Sequence, residues 1–337
     1  MRRPILAALR EGFGALRRNW GLVPLLLAVN VGLAALLAVP FARHLEAELR
    51  HKDAAAGMMY GFDYVWWSEW SERQSGWTRS FGPEVFGAGF SYRNLDLLLR
   101  GKLPAGLYRA GAPPQSTGRG DEPLGIDPAI LGLGLLYMLV QTFLAGGVLG
   151  VLRAPQGGWT VRGLLHGSGF YFGRMVRVAA LALAAAYVLF RINAPLARWA
   201  DRQALEAVSE STALAWSLGR HAVLLLALLF LHMLSSYAKV IVVLEERSSA
   251  VLAFVSSAAF CLGHLGRTWG HYLAIVAIGI ATLVAFNGID GLWETTGYKT
   301  QLPTFVLLEL LVASRIGLRL ALLGGQVALY RRAAALP

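Results

Sequence analysis

The residues best equipped for chemistry sit where lipid would not tolerate them. The last hydrophobic run, 304–330, reads TFVLLELLVASRIGLRLALLGGQVALY and carries Glu309, Arg315 and Arg319. An arginine at mid-bilayer costs about 2.5–3.5 kcal/mol even on the forgiving insertion scale. That face must therefore meet other helices, a partner chain or water. Arg315 and Arg319 are four apart and share one helix face. Glu309 lies six residues earlier than Arg315, about 9 Å of rise and about 120° around the helix, so a bridge between the two needs both side chains bent together. Two readings follow. The arginines form a polar site for an anionic substrate or lipid headgroup, or they pair within the bundle with Asn287, Asp290, His232 or Lys239. His232 is the one histidine deep in a hydrophobic run; it is either a hydrogen-bonded structural group or a proton relay or ligand.

Other chemistry lacks its residues. The chain has no P-loop, no HExxH, no GxSxG and no GxGxxG opening a helix. Haem needs paired axial ligands across spans, and His221, His264 and His271 lie near the ends of their runs. Cys261 is the single cysteine, which excludes an intrachain disulfide and a cysteine metal site. No catalytic residue, cofactor or metal is expected. Glu245 and Glu246 read as charges of a solvated turn.

Hydrophobic runs position these groups. Of 337 residues, 56% are hydrophobic and only 15% charged, where soluble domains run near 25%. The apolar residues cluster into six runs, at about 20–41, 127–152, 175–196, 218–244, 269–289 and 304–330. The expected fold is all-α, a polytopic bundle of six transmembrane helices in a single membrane domain, 1–337. The net charge of +11 would suggest nucleic acid in a soluble protein. Here the basic residues flank membrane runs and meet anionic headgroups, so lipids are the expected partners and nucleic acid is not. The first run is too long for a signal-peptide core and is expected to stay in place. Arg2, Arg3, Arg10, Arg17 and Arg18 precede it, which orients the N-terminus to the cytoplasm; six crossings return the C-terminus, with Arg331 and Arg332, to the same side.

Residues 3–18 predict an in-plane amphipathic helix, with Ile5, Leu6, Leu9, Phe13 and Leu16 on its apolar face. The segment 42–126 is the one large polar insertion, outside by this topology. Its start, 42–52, extends the preceding helix, 83–103 reads as partly helical, and 104–126 is Pro/Gly-rich loop. Tyr60, Phe62, Tyr64, Trp66, Trp67, Trp70 and Trp77 make it aromatic, as a lid on the outer headgroup layer or a docking surface for another subunit.

Similar pieces recur before three of the runs: LREGFGALRRNWGLVPLLL (9–27), HGSGFYFGRMVRVAALAL (166–183) and SSAAFCLGHLGRTWGHYLAI (256–275). Each is a short amphipathic stretch, then Arg17, Arg174 or Arg267, then a span. The alternate runs carry small pairs near their ends: Gly146–Gly147, Ser235–Ser236 and Gly324–Gly325. This predicts three copies of one unit, an amphipathic elbow helix followed by a helix hairpin.

That layout, together with YAKVIVVLEERSSAVLAFVSSAAFCLGHLGRTWGHYL (237–273), resembles a broad group of poorly characterised bacterial six-span integral membrane proteins. It is similar to the membrane domain fused to some glycerophosphodiester phosphodiesterases, best over spans 3–6. The chain lacks the catalytic barrel of those fusions, so the resemblance implies a fold and a bacterial inner membrane, and no activity. Two function classes stand: a non-catalytic membrane subunit, scaffold or accessory, that assembles with other membrane components, and a transporter or lipid-handling protein using the arginine face.

Overall fold

The computed structural model describes residues 2–50, 63–80, 128–154, 158–292 and 298–334. Among these, all regular structure is helical. Nine α-helices follow one another: α1 (Arg2–Arg18), α2 (Leu22–Leu49), α3 (Tyr64–Arg73), α4 (Pro128–Arg153), α5 (Val161–Glu206), α6 (Glu210–Leu244), α7 (Ala250–Gly263), α8 (Leu265–Asp290) and α9 (Tyr298–Ala333). A 3-10 turn, Gly76–Ser80, follows α3. Five of them, α2, α4, α5, α6 and α8, are long and apolar enough to cross a membrane. The protein is therefore an all-helical chain with the elements of a multi-pass membrane protein. α9 is 36 residues long, but Glu309, Arg315 and Arg319 dilute its apolar character.

Helix starts are set by side-chain caps. Thr160, Ser209 and Ser249 accept the amides of Gly163, Thr212 and Leu252 at 3.0, 3.2 and 3.3 Å. Each cap occupies an amide that the helix itself leaves unpaired. Residues 198–217, between two hydrophobic runs, are mostly helix: α5 runs on to Glu206, and α6 begins at Glu210. Hydrophobic runs mark where lipid begins, and the helices continue past that limit. The extension of the first span likewise holds, α2 reaching Leu49. The expectations for Tyr60, Phe62 and 83–126 lie outside the described residues.

The chain divides into two compact units. The first comprises Met1–Leu27, Met138–Ala285 and Leu311–Pro337; the second comprises Ala28–Tyr137 and Phe286–Leu310. The core of the first joins four helices: Met233 and Tyr237 of α6, Cys261 of α7, Tyr272 and Ile275 of α8, and Ala321 and Leu322 of α9. Small residues let the helices of this unit approach. A β-carbon at Gly147 of α4 would strike the Leu164 carbonyl and Ser168 Oγ of α5. One at Gly12 of α1 would strike the Ala321 carbonyl of α9, where Gly324 also abuts Gly12 and Ala15. On α7, Ser257 Oγ donates to the Leu234 carbonyl of α6 at 2.7 Å, beside Ser235 and Ser236. Each expected small pair thus adjoins a backbone or hydroxyl contact to an expected elbow segment.

In the second unit, α3 folds onto the latter part of α2. Asp63 caps α3 by accepting the amides of Val65 and Trp66 at 3.0 Å each. Trp66, Trp67 and Trp70 fall on one side and are buried with Phe41, against Leu45, Leu49 and Trp77. Trp66 and Trp70 stack at 5.7 Å between centroids, and Phe41 meets Trp70 edge-on at 6.2 Å. The bend is held by His44 and Gln74, whose side chains hydrogen-bond at 2.8 Å.

Candidate functional site

In the first unit, four helices bring polar groups to one place. Arg319 of α9 donates from Nη1 to Gln141 Oε1 of α4 at 3.1 Å. His232 of α6 pairs through Nδ1 with the hydroxyl of Tyr272 of α8 at 2.8 Å. Lys239, seven residues further along α6 and about 10 Å of rise away, lies within charge-interaction range of Arg319. So does His232. Lys239 is half-buried, and among the described residues it makes no hydrogen bond or ion pair. Arg315, one turn before Arg319, is exposed and likewise makes no such bond to a described residue.

The face therefore gathers cations from two long helices, Lys239 near the end of α6 and Arg315 and Arg319 within α9. Gln141 and Tyr272, which hydrogen-bond to Arg319 and His232, are neutral. Such a face offers charge-assisted hydrogen bonds to an anion, with guanidinium geometry suited to carboxylate or phosphate. Among the described residues no group of three or more metal-ligating side chains gathers anywhere.

Of the residues singled out in the sequence, Arg319 and His232 meet here, and Lys239 joins them. Glu309 is half-buried and belongs to the second unit. The aromatic residues expected to form an outer docking surface do otherwise: Trp66, Trp67 and Trp70 point into their own cluster, Trp77 packs against it, and of the described ones Tyr64 is exposed. Three tryptophans at i, i+1 and i+4 make one apolar helix face, and that spacing is the signal for inward packing.

Sequence reasoning missed a second polar assembly, around the acidic turn between α6 and α7. Arg153 of α4 donates to the Tyr171 hydroxyl at 3.1 Å, the Val243 carbonyl at 3.2 Å and Glu246 Oε1 at 2.5 Å. Arg174 and Arg177 of α5 donate to the carbonyls of Glu246 and Ser248 at 3.0 and 3.2 Å. Glu245 accepts from the Tyr330 hydroxyl of α9 and from Arg247 Nε. Arg331 closes the ring onto the Arg153 carbonyl at 2.5 Å. Glu246 adopts φ 53°, a left-handed conformation that non-glycine residues rarely take and that the surrounding arginines hold. The Arg153 guanidinium keeps the Glu246 carboxyl below the usual carboxylate range. This assembly ties four helices together, and each of its arginines donates to a carboxylate or a backbone carbonyl. No protein-family model, curated protein or solved structure matches the chain.

Proposed function

We propose that the protein is a six-crossing, non-catalytic membrane protein that receives an anionic group at the Arg319–Gln141–His232–Lys239 face, as a transporter or lipid-handling protein. One observation carries this reading: Lys239, without a hydrogen-bond or ion-pair partner among the described residues, lies within charge-interaction range of Arg319. Two like charges so placed repel and lose hydration, and an anion between them offsets both costs. The exposure of Arg315 supports an open face.

The same proposal takes α9 as the sixth crossing and α1, the start of α5, and α7 as elbows of three helix hairpins. The contacts of Gly12, Gly147 and Ser257 support it, since each elbow packs near the small pair of a downward span. Such copies would be related by an axis along the membrane normal. The arginines before the first span support cytoplasmic termini in a bacterial inner membrane. The likeness to the membrane domains of glycerophosphodiester phosphodiesterase fusions belongs to the same proposal and adds no activity.

Native mass spectrometry of the full-length protein tests the reading. An anionic lipid or metabolite should co-purify with the wild type and be lost from Lys239→Met and Arg319→Gln. Equal retention by all three sinks the proposal. A second reading, an accessory subunit of a membrane assembly, is favoured by Tyr64 and Val65, exposed side by side on α3 at 69% and 72%. Recovery of a stoichiometric partner protein would select it.

A further inference from the structure

α1 lies against α9 through Ala8, Gly12 and Ala15, which are buried, and Leu16 rests on Gly317. Its opposite face is differently made. Leu6, Arg10, Phe13 and Arg17 fall within about 60° of one another around the helix, and all four are exposed. Trp20 continues the stripe, 70% exposed. Alternating guanidinium and apolar groups on one face suit a headgroup layer, where the chains enter the acyl boundary and the charges stay at phosphate level. Beside this stripe runs a groove of about 610 Å³ between α1 and the end of α9, lined by Leu6, Arg10, Glu11, Arg18 and Arg332 among others.

The charges of this groove do not balance. Glu11 and Arg332 form an ion pair across it. Arg10 and Arg18 line the same groove, exposed, and make no hydrogen bond or ion pair to any described residue. Two guanidinium groups are left to face one concavity. We propose that this groove is a headgroup site for an anionic phospholipid, its phosphodiester held by Arg10 and Arg18 and its acyl chains laid along Leu6 and Phe13. Guanidinium groups match phosphate oxygens in paired hydrogen bonds. The tight seating of α1 on Ala321 and Gly324 fixes the groove before lipid arrives, so little ordering opposes binding. The site is separate from the Lys239 face and does not rest on the reading given for it.

The test uses full-length protein in mixed micelles with phosphatidylglycerol or phosphatidylcholine, and counts bound lipid by native mass spectrometry. Phosphatidylglycerol should bind in preference to phosphatidylcholine. The Arg10→Gln/Arg18→Gln variant should weaken it about tenfold or more, the scale of one lost charge-assisted hydrogen bond. Arg17→Gln, outside the groove, should change it less than about twofold, and Arg10→Lys should keep part of it. Lys239→Met should keep the lipid that Arg10→Gln/Arg18→Gln loses, so the two sites stand or fall apart. All the substituted side chains in α1 are exposed, and an unchanged thermal midpoint verifies the fold. An Arg17→Gln loss equal to that of the double variant would mean diffuse surface charge and overturn the site. So would an unaffected double variant, or full displacement of the lipid by excess inorganic phosphate, which would mark a free-anion site instead.

Discussion

Arginines occupy two contrasting settings in the first unit. Around the α6–α7 turn, Arg153, Arg174, Arg177, Arg247 and Arg331 each donate to a carboxylate or a carbonyl at a helix end. At the Arg319 face, Arg319 donates to a neutral amide, Lys239 makes no hydrogen bond or ion pair to a described residue, and Arg315 is exposed. The residue type is nearly the same, and the difference lies in what the fold supplies. Arginines supplied with acceptors close an architecture. At the other face Lys239 has no such acceptor among the described residues, in a setting where an uncompensated cation is costly.

Substitutions can break or sharpen this contrast. The largest effect is expected at Glu245, which accepts two hydrogen bonds and is mostly shielded, its side chain 22% exposed. Glu245→Ala strands Tyr330 and Arg247 and should cost about 1–3 kcal/mol, read as a lower unfolding midpoint in fixed detergent, with Glu245→Gln costing less. An unchanged midpoint would erase the structural role of the turn. Lys239→Met should act in the opposite direction. Removing an uncompensated cation from apolar surroundings should leave stability unchanged or raise it by about 1 kcal/mol in ligand-free protein. A marked loss would mean that Lys239 has a structural partner.

Acid provides a gentler probe. The lowered Glu246 carboxyl contributes stability that is present above its unfolded value, near 4.5, and lost as pH falls through its folded value. The unfolding midpoint should therefore be flat above about pH 5 and decline below it, and Glu246→Gln should flatten part of that decline. An identical pH profile in the variant would remove Glu246 from the account. The smallest effect belongs to Arg50 and Glu46, an exposed i, i+4 pair with both side chains 65% exposed. Arg50→Ala should change the midpoint by no more than a few tenths of a kcal/mol, and a larger change would upset the ranking by environment.

Much of the helical layout was readable from the residues. Runs such as 127–152 and 269–289 became α4 and α8 within a few positions, because a bilayer-length apolar stretch has few other uses. The small pairs were readable too, since Gly146–Gly147 and Gly324–Gly325 are poor choices unless backbones must come close. What a single sequence hides is which face of one helix meets which face of another. Gln141 gave no sign that it would meet Arg319, 178 positions away. Glu245 and Glu246 looked like solvated charges because Tyr330, which donates to Glu245, comes from α9, and Arg153, which pairs with Glu246, comes from α4. The tryptophans of α3 looked available for a partner, and the nearest apolar surface proved to be the chain's own α2. The arginine face was half legible. The expense of Arg315 and Arg319 in an oily run was plain, while the neighbours that give Arg319 its meaning were not.

Gly12 and Ala321 are separated by some three hundred positions, yet one helix rests directly on the other. During synthesis at about 5–20 residues per second, α1 would wait tens of seconds for its companion to leave the ribosome. Throughout that interval its small-residue side has nothing to rest on. Assembly of this unit is thus a closing of its first element onto its last, and a protein released early, short of α9, should be recognised by quality control through a loose leading helix.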